Sequence, residues 1–232
     1  YEHVKSAMDT LLLGEEKLKR AAALGIGHLR IGVSATLCKY VLLGYLKDFT
    51  KQYPHITISI LCQSTSETLR LLEEDRLDIG MAGTGTYCLP HVLAFDSVSE
   101  MEDIFVASGQ YLALLKQRGI QEQEILQNCS LMMLDKQNIS RQYIDAYLQK
   151  NQIAVRECIE ASSMDLLIEF AKISLGVACV IRQFVEPELA DGSLIEIALP
   201  APVQKRTVGF VYKPQKTCKA LEQFRDFYLK KL

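Results

Sequence analysis

Four short stretches carry hydroxyl and amide side chains where an apolar run gives way to a helical pattern. They are Ser34-Ala35-Thr36, Gln63-Ser64-Thr65, Asn138-Ile139-Ser140 and Ser162-Ser163. A helix that starts after a strand offers unpaired N–H groups and about half a positive charge at its N-terminus. Hydroxyls and amides beside it add donors, and a small anion, most simply a carboxylate, suits such a place. Each Ser or Thr could equally do no more than cap its own helix. Four such turns together point to a binding cleft, because ligands of open α/β sheets sit beyond the carboxyl ends of the strands.

Other chemistry finds little support. His3, His28, His55 and His91 are scattered and lack metal-ligand spacing, so no metal is expected. There is no G-x-S-x-G elbow. Glu73-Glu74-Asp75 reads as a solvated helix end, and Asp78 precedes an apolar strand, so no acid–base pair emerges. Gly83-x-Gly85 lacks the third glycine and the following helix of a phosphate loop. An enzyme is not expected, nor a cofactor. Seven cysteines at 38, 62, 88, 129, 158, 179 and 218 form no C-x-x-C. Reduced thiols in apolar settings, such as Cys62 after Leu61 and Cys179 in VACVI, are the plain reading. A redox sensor built from two of them is the alternative, and no basic cluster marks one for activation.

The elements that must position the turns follow from hydrophobic spacing. Leu29–Val33 is an apolar run and reads as a buried strand. Leu37, Val41, Leu42, Tyr45, Leu46 and Phe49 then fall at helical spacing until Tyr53-Pro54 stops them. Ile56–Leu61 alternates as a strand, and Ser64-x-x-Glu67 is a capping box opening the next helix. Leu77–Ala82 is a third strand. Helices between such short strands imply a parallel sheet. Further on, strands are expected at His91–Phe95, Ile104–Ala107, Ser130–Leu134, Val155–Ile159, Leu175–Ile181, Leu194–Ile197 and Arg206–Tyr212. Helices are expected at Gln121–Asn128, Arg141–Lys150, Met164–Ile173, Thr217–Lys231, and Arg182–Leu189 interrupted by Pro187. Ahead of all this, Val4, Met8, Leu11, Glu15, Leu18 and Ala22 trace a heptad seam with one polar interruption. A dimerising helix ending at Gly25 is expected there, with an ordinary amphipathic helix as the alternative.

The 232 residues suffice for one or two domains, and 49% hydrophobic against 23% charged residues is an ordinary globular balance. A net charge of −2 argues against a large nucleic-acid footprint on this chain. No apolar run approaches the roughly 18 residues of a spanning helix, so no membrane partner is expected. The start, YEHVKSAMDT, has no signal-peptide core and no initiator Met, which leads to the expectation of a piece of a longer protein.

The strand with its Ser/Thr turn, QYPHITISI, the Ser/Thr-rich turn after it and RLDIG resemble the effector-binding domain of LysR-type transcriptional regulators, and the likeness extends over about 26–232. The resemblance implies an α/β fold of two Rossmann-like lobes with a cleft between them, the type 2 periplasmic-binding-protein fold, preceded by a linker helix. It implies a linker at 1–25, one lobe from 26–102 and 209–232, and a second at 103–208. It places a small, anionic effector in the cleft. Thr36 and Thr65 match hydroxyl positions after the first and second strands, and Ile139 and Ser140 match the second-lobe turn that closes over the ligand. Asn138, Ser34, Gln63, Ser64 and Ser162 are their neighbours. Arg141 could neutralise an anion or simply be an exposed helical arginine. The family often has Gly-x-Gly where Ser174-Leu175-Gly176 stands, and Pro at Ile181. The resemblance further implies a cytoplasmic, bacterial-type homodimer or homotetramer that reaches DNA through a winged helix-turn-helix outside this chain. A transport-type solute-binding protein on the same fold is the rival, and scattered cysteines and the heptad helix count against it.

Overall fold

The computed structural model describes residues 2–23, 27–84 and 89–231, with side chains of the first helix described at 3–8 and 10–14. That helix is α1 (Glu2–Ala23). Of its heptad seam, Val4, Met8 and Leu11 are 69%, 55% and 70% exposed. The Glu15, Leu18 and Ala22 side chains and the Gly25 cap lie outside the described residues.

The chain divides into two units, one of Tyr1–Ala82, Pro90–Asp96 and Phe210–Leu232, the other of Gly83–Leu89 and Ser97–Gly209. In the first, β1 (Gly27–Val33) leads into α2 (Ala35–Leu37), a π-helical turn at Cys38–Leu42, and α3 (Leu43–Gln52). Then come β2 (Ile56–Cys62), α4 (Thr65–Glu73) and β3 (Ile79–Gly83). β1 pairs in parallel with β2 from Gly27↔Ile56 to Val33↔Cys62, and with β3 at Ile31↔Ile79. Glycine inside β1 and β3 has a packing reason. A Cβ on Gly32 would stand 2.8 Å from Thr68 Cγ2 and one on Gly80 2.6 Å from the same atom, so α4 can lie close on both strands.

The second unit contains β5 (Asp103–Ala107), α5 (Gly109–Gln117), a short 3-10 turn at Glu122–Glu124, α6 (Ile125–Asn128), β6 (Ser130–Leu134), α7 (Ile139–Lys150), β7 (Glu157–Ala161), α8 (Met164–Lys172) and β8 (Val177–Ile181). A 3-10 turn at Arg182–Phe184, α9 (Glu186–Asp191) and β9 (Ile195–Glu196) complete it. β4 (Ala94–Met101) and β10 (Arg206–Tyr212) span the boundaries between units, and α10 (Lys219–Leu229) closes the chain. The sheets run β2-β1-β3-β10-β4 and β7-β6-β8-β5-β9. β6 is parallel to β7 and β8, whereas β5 is antiparallel to β8 and β9.

Several expectations need correction. α5 is a helix that the hydrophobic spacing did not bring out, and it buries only Tyr111 and Leu115. The strand expected at His91–Phe95 is β4, further on and largely polar, because it borders its sheet and solvates alternate side chains. β7 begins two residues later than expected, set by the pairing of Ser130 with Glu157. Pro187 does not interrupt its helix. It stands in the first turn of α9, where a missing N–H costs nothing. The capping box is half made: Ser64 accepts from Glu67 N at 3.2 Å, but the Glu67 carboxylate turns to Arg70 at 2.6 and 2.9 Å. The Gly-to-Ser departure in the second unit is also accounted for. Ser174 keeps a left-handed φ of 66°, and its hydroxyl bonds Ser108 Oγ at 2.8 Å and Gln110 Oε1 at 3.3 Å. Gly176 remains glycine because a Cβ would lie 2.2 Å from the Ser130 carbonyl oxygen.

Aromatic rings fill the first core. Phe210 stacks on Tyr228 at 4.3 Å, and Phe49 meets Phe224 edge-on at 4.9 Å. Phe105, Leu115, Leu131, Met133, Ile144 and Val177 fill the second. A buried carboxylate ties β3 to β1. Asp78 accepts from Arg30 N at 2.8 Å, Arg30 Nη2 at 2.8 Å and Lys216 Nζ at 3.0 Å. Burial by itself would raise its carboxyl. The bonds from Arg30 and Lys216 reverse that and hold it at about 2.

The ordinary Asp value is about 3.9. The ionised Asp78 therefore contributes roughly 2 kcal/mol above about pH 4, lost as pH falls through about 2. Asp78→Asn should lower stability at pH 7 and flatten the loss between about pH 4 and pH 2, followed by urea midpoints. An unchanged acid limb in the variant would show that Asp78 does not carry that linkage.

Candidate functional site

The parallel register brings the first two turns together. Val33 and Cys62 are partners at the ends of β1 and β2, and Gln63 N donates to Val33 O at 3.0 Å. Ser34, Thr36, Gln63, Ser64 and Thr65 therefore share one edge of the first unit. Ser34 caps α2, its Oγ accepting from Leu37 N at 3.3 Å. Ser64 caps α4 and also meets Ser66 Oγ at 3.0 Å. Thr36 and Thr65 are half-buried and free of that capping duty. Gln63 is half-buried, and its Nε2 is a buried donor with no partner among the described residues. Buried polar atoms almost always have partners, so a spare donor between two helix starts is a place for an acceptor.

The second unit repeats the arrangement. Leu134 and Ala161 are partners at the ends of β6 and β7, which gathers Asn138, Ile139, Ser140 and Ser162 at one edge. Asn138 caps α7, Oδ1 accepting from Ser140 N at 2.9 Å. Ser163 caps α8, accepting from Leu166 N at 3.2 Å, and Ser162 is exposed beside it.

Two residues that no motif announced stand behind Ser140. Arg206 donates through Nε and Nη2 to Asp103, both at 2.7 Å, and through Nη2 to Ser140 Oγ at 3.2 Å. Its guanidinium lies 4.9 Å from the centre of the Tyr143 ring. Each partner of the ion pair is 3% exposed. Burial pushes the Asp103 carboxyl up, against the pull of Arg206. The only sequence signal was a charge opening an otherwise apolar strand. Arg141 matches neither expectation. It is buried and spent on Leu134 O at 2.9 Å, Asp145 at 2.8 Å and Glu160 at 3.4 Å.

Among the described residues no group of His, Cys, Asp or Glu is placed to hold a metal ion, and no helix is long and apolar enough to cross a membrane. His28 Nε2 meets Ser59 Oγ at 2.6 Å, a surface contact. The cysteines correct the plain reading in part. Cys129 and Cys179 are buried, but Cys62 and Cys158 are exposed.

Removing one member of a buried ion pair leaves a charge uncompensated, at about 3–5 kcal/mol. Arg206→Met should cost that much in urea unfolding, and Asp103→Leu added to it should restore much of the loss. A loss below about 1 kcal/mol in the single variant would place the pair among weak surface bridges.

Residues 22–232 match the family model described as LysR substrate binding domain. The chain is 23% identical over 202 residues to the uncharacterized HTH-type transcriptional regulator YeiE of Escherichia coli K12, spanning 87% of this chain and 67% of that relative. Against HTH-type transcriptional regulator CysL of Bacillus subtilis it spans 62% of the relative's length. Among solved structures, the regulatory domain of Synechocystis CcmR in complex with 2-PG superposes with a TM-score of 0.72 at 16% identity, covering 88% of this chain and 96% of that one. The effector binding domain of QuiR in complex with shikimate gives 0.70 at 15% identity, with the same coverage. These likenesses show the fold.

Proposed function

The chain belongs to the LysR substrate-binding-domain family, with the type 2 periplasmic-binding-protein fold, and from that premise we propose that it senses a small anionic metabolite for a LysR-type transcriptional regulator. The anion is held at the strand-end turns by Thr36, Gln63 and Thr65, with Ser34 and Ser64 fixing the helix starts that face it. Asn138, Ile139, Ser140 and Ser162 form the second set of contacts. The observation that carries this reading is the buried Gln63 Nε2, unpartnered among the described residues, between two capped helix N-termini. The effector named in the QuiR structure, shikimate, carries a carboxylate, which supports the anion class. Binding shifts the arrangement of subunits in a cytoplasmic dimer or tetramer, and a winged helix-turn-helix elsewhere in the whole protein carries that shift to DNA. Such coupling requires the effector to bind the two assemblies with different affinity. The family match favours a regulator over a transport protein on the same fold.

Thermal shift against shikimate, sulfate and a panel of small organic acids tests the site. An anion at about 100 times its Kd stabilises by roughly 2.7 kcal/mol. For a chain of this size that is several degrees, at roughly 2–4 °C per kcal/mol. Thr65→Val removes a hydrogen bond to a charge, about 1.5–3 kcal/mol, and should erase most of the shift. Thr57→Val, on the exposed face of β2, should leave it intact. A shift that survives Thr65→Val and falls with Thr57→Val would move the site elsewhere.

A further inference from the structure

Cys38 and Cys62 flank the first-unit turns, and the sheet register brings their side chains to one face. In β1, Gly32 looks towards Thr68 of α4, whereas Gly27 looks towards Ala220 of α10. Val33 follows Gly27 in alternation and so points to the α10 side. The same side carries α3, whose Phe49 meets Phe224 of α10. Cys62 is the parallel partner of Val33, so its side chain turns to that side too. Cys38 opens the π-helical turn that runs into α3. Its N–H donates to Ser34 O at 2.8 Å, and its carbonyl accepts from Leu43 N. Such π turns inside helices concentrate at functional sites. Cys62 lies close enough to Cys38 to act on its thiol, and neither belongs to a disulfide. Cys62 is exposed and Cys38 half-buried.

We infer that Cys38 and Cys62 are a modification site, converted by a peroxide into a reversible intramolecular disulfide. The exposed Cys62, as thiolate, attacks one peroxide oxygen. The O–O bond breaks, Cys62 becomes a sulfenic acid, and the departing hydroxide takes up a proton as water. The Cys38 thiolate then attacks the Cys62 sulfur, the S–O bond breaks, and a second water leaves. The two sulfurs together give up two electrons, and the peroxide takes them. Burial first, and then the neighbouring Cys62, raise the Cys38 thiol, which suits the slower, resolving role. Burial shields two of the other thiols. It pushes Cys129 up to about 12 and Cys179 well above the usual thiol range. The new bond ties the first helical turn to the end of β2, so it fixes the spacing of the turns at Thr36 and Thr65. That last consequence rests on the anion-site reading, whereas the bond itself does not.

The test treats the reduced, folded chain with hydrogen peroxide, blocks remaining thiols with N-ethylmaleimide, and maps peptides by mass. The parent should give one Cys38–Cys62 linked peptide, two hydrogens lighter than the reduced pair, which dithiothreitol reverses. Cys38→Ser should instead leave Cys62 as a sulfenic acid that dimedone captures. The inference is overturned if the parent accumulates dimedone at Cys62 as fast as Cys38→Ser does. It is equally overturned if both parent thiols still take N-ethylmaleimide in full after peroxide. The anion thermal shift of the reduced chain is measured without peroxide, so its failure is read separately.

Discussion

Two parallel strands cannot be joined by a hairpin. The chain must return across the sheet, and a helix is the usual way back. This constraint governs the site in both units. β1, β2, β6 and β7 each end where a helix begins, so helix N-termini collect along one edge of each sheet. Pairing of Val33 with Cys62, and of Leu134 with Ala161, then sets the turns side by side. The capping residues Ser34, Ser64, Asn138 and Ser163 satisfy part of each helix start. What remains are donors aimed beyond the strand ends, and the Gln63 amide is the plainest of them.

Buried charge keeps those edges in register. Asp78 pins β3 to β1 through Arg30 and Lys216 and stays ionised because donors outnumber the cost of burial. Asp103 and Arg206 form a drier pair, and Arg206 reaches on to Ser140. A pair of this kind adds little net stability compared with apolar residues of similar volume, but losing one half of it is costly. Its use here is positional: Arg206 donates to the Ser140 oxygen and leaves that hydroxyl's proton free for an acceptor.

Much of this was legible in the sequence, for identifiable reasons. Helical spacing in 37–49, alternation in 56–61 and the stop at Tyr53-Pro54 are local signals, and α3 and β2 follow them closely. The caps at Ser34, Ser64 and Asn138 are local too. Contacts across long stretches were not legible. Arg206 and Asp103 form an ion pair across more than a hundred positions, between the first residues of β10 and β5. Cys38 and Cys62 become neighbours only once the β1–β2 register is known. β4 was misplaced because an edge strand tolerates the polar run Asp96-Ser97-Val98-Ser99, which reads as a loop. The Glu67 carboxylate had two partners within reach, and Arg70, one turn on, competes better than the helix start.

The central claim is that an anion rests against the turns after β1 and β2. Backbone amide shifts report this most directly, followed by NMR as a stabilising anion is titrated into the reduced chain. The account predicts saturable shifts at Thr36, Gln63 and Thr65, all with one dissociation constant. Shifts confined to other residues, with those amides unmoved at saturation, would contradict it.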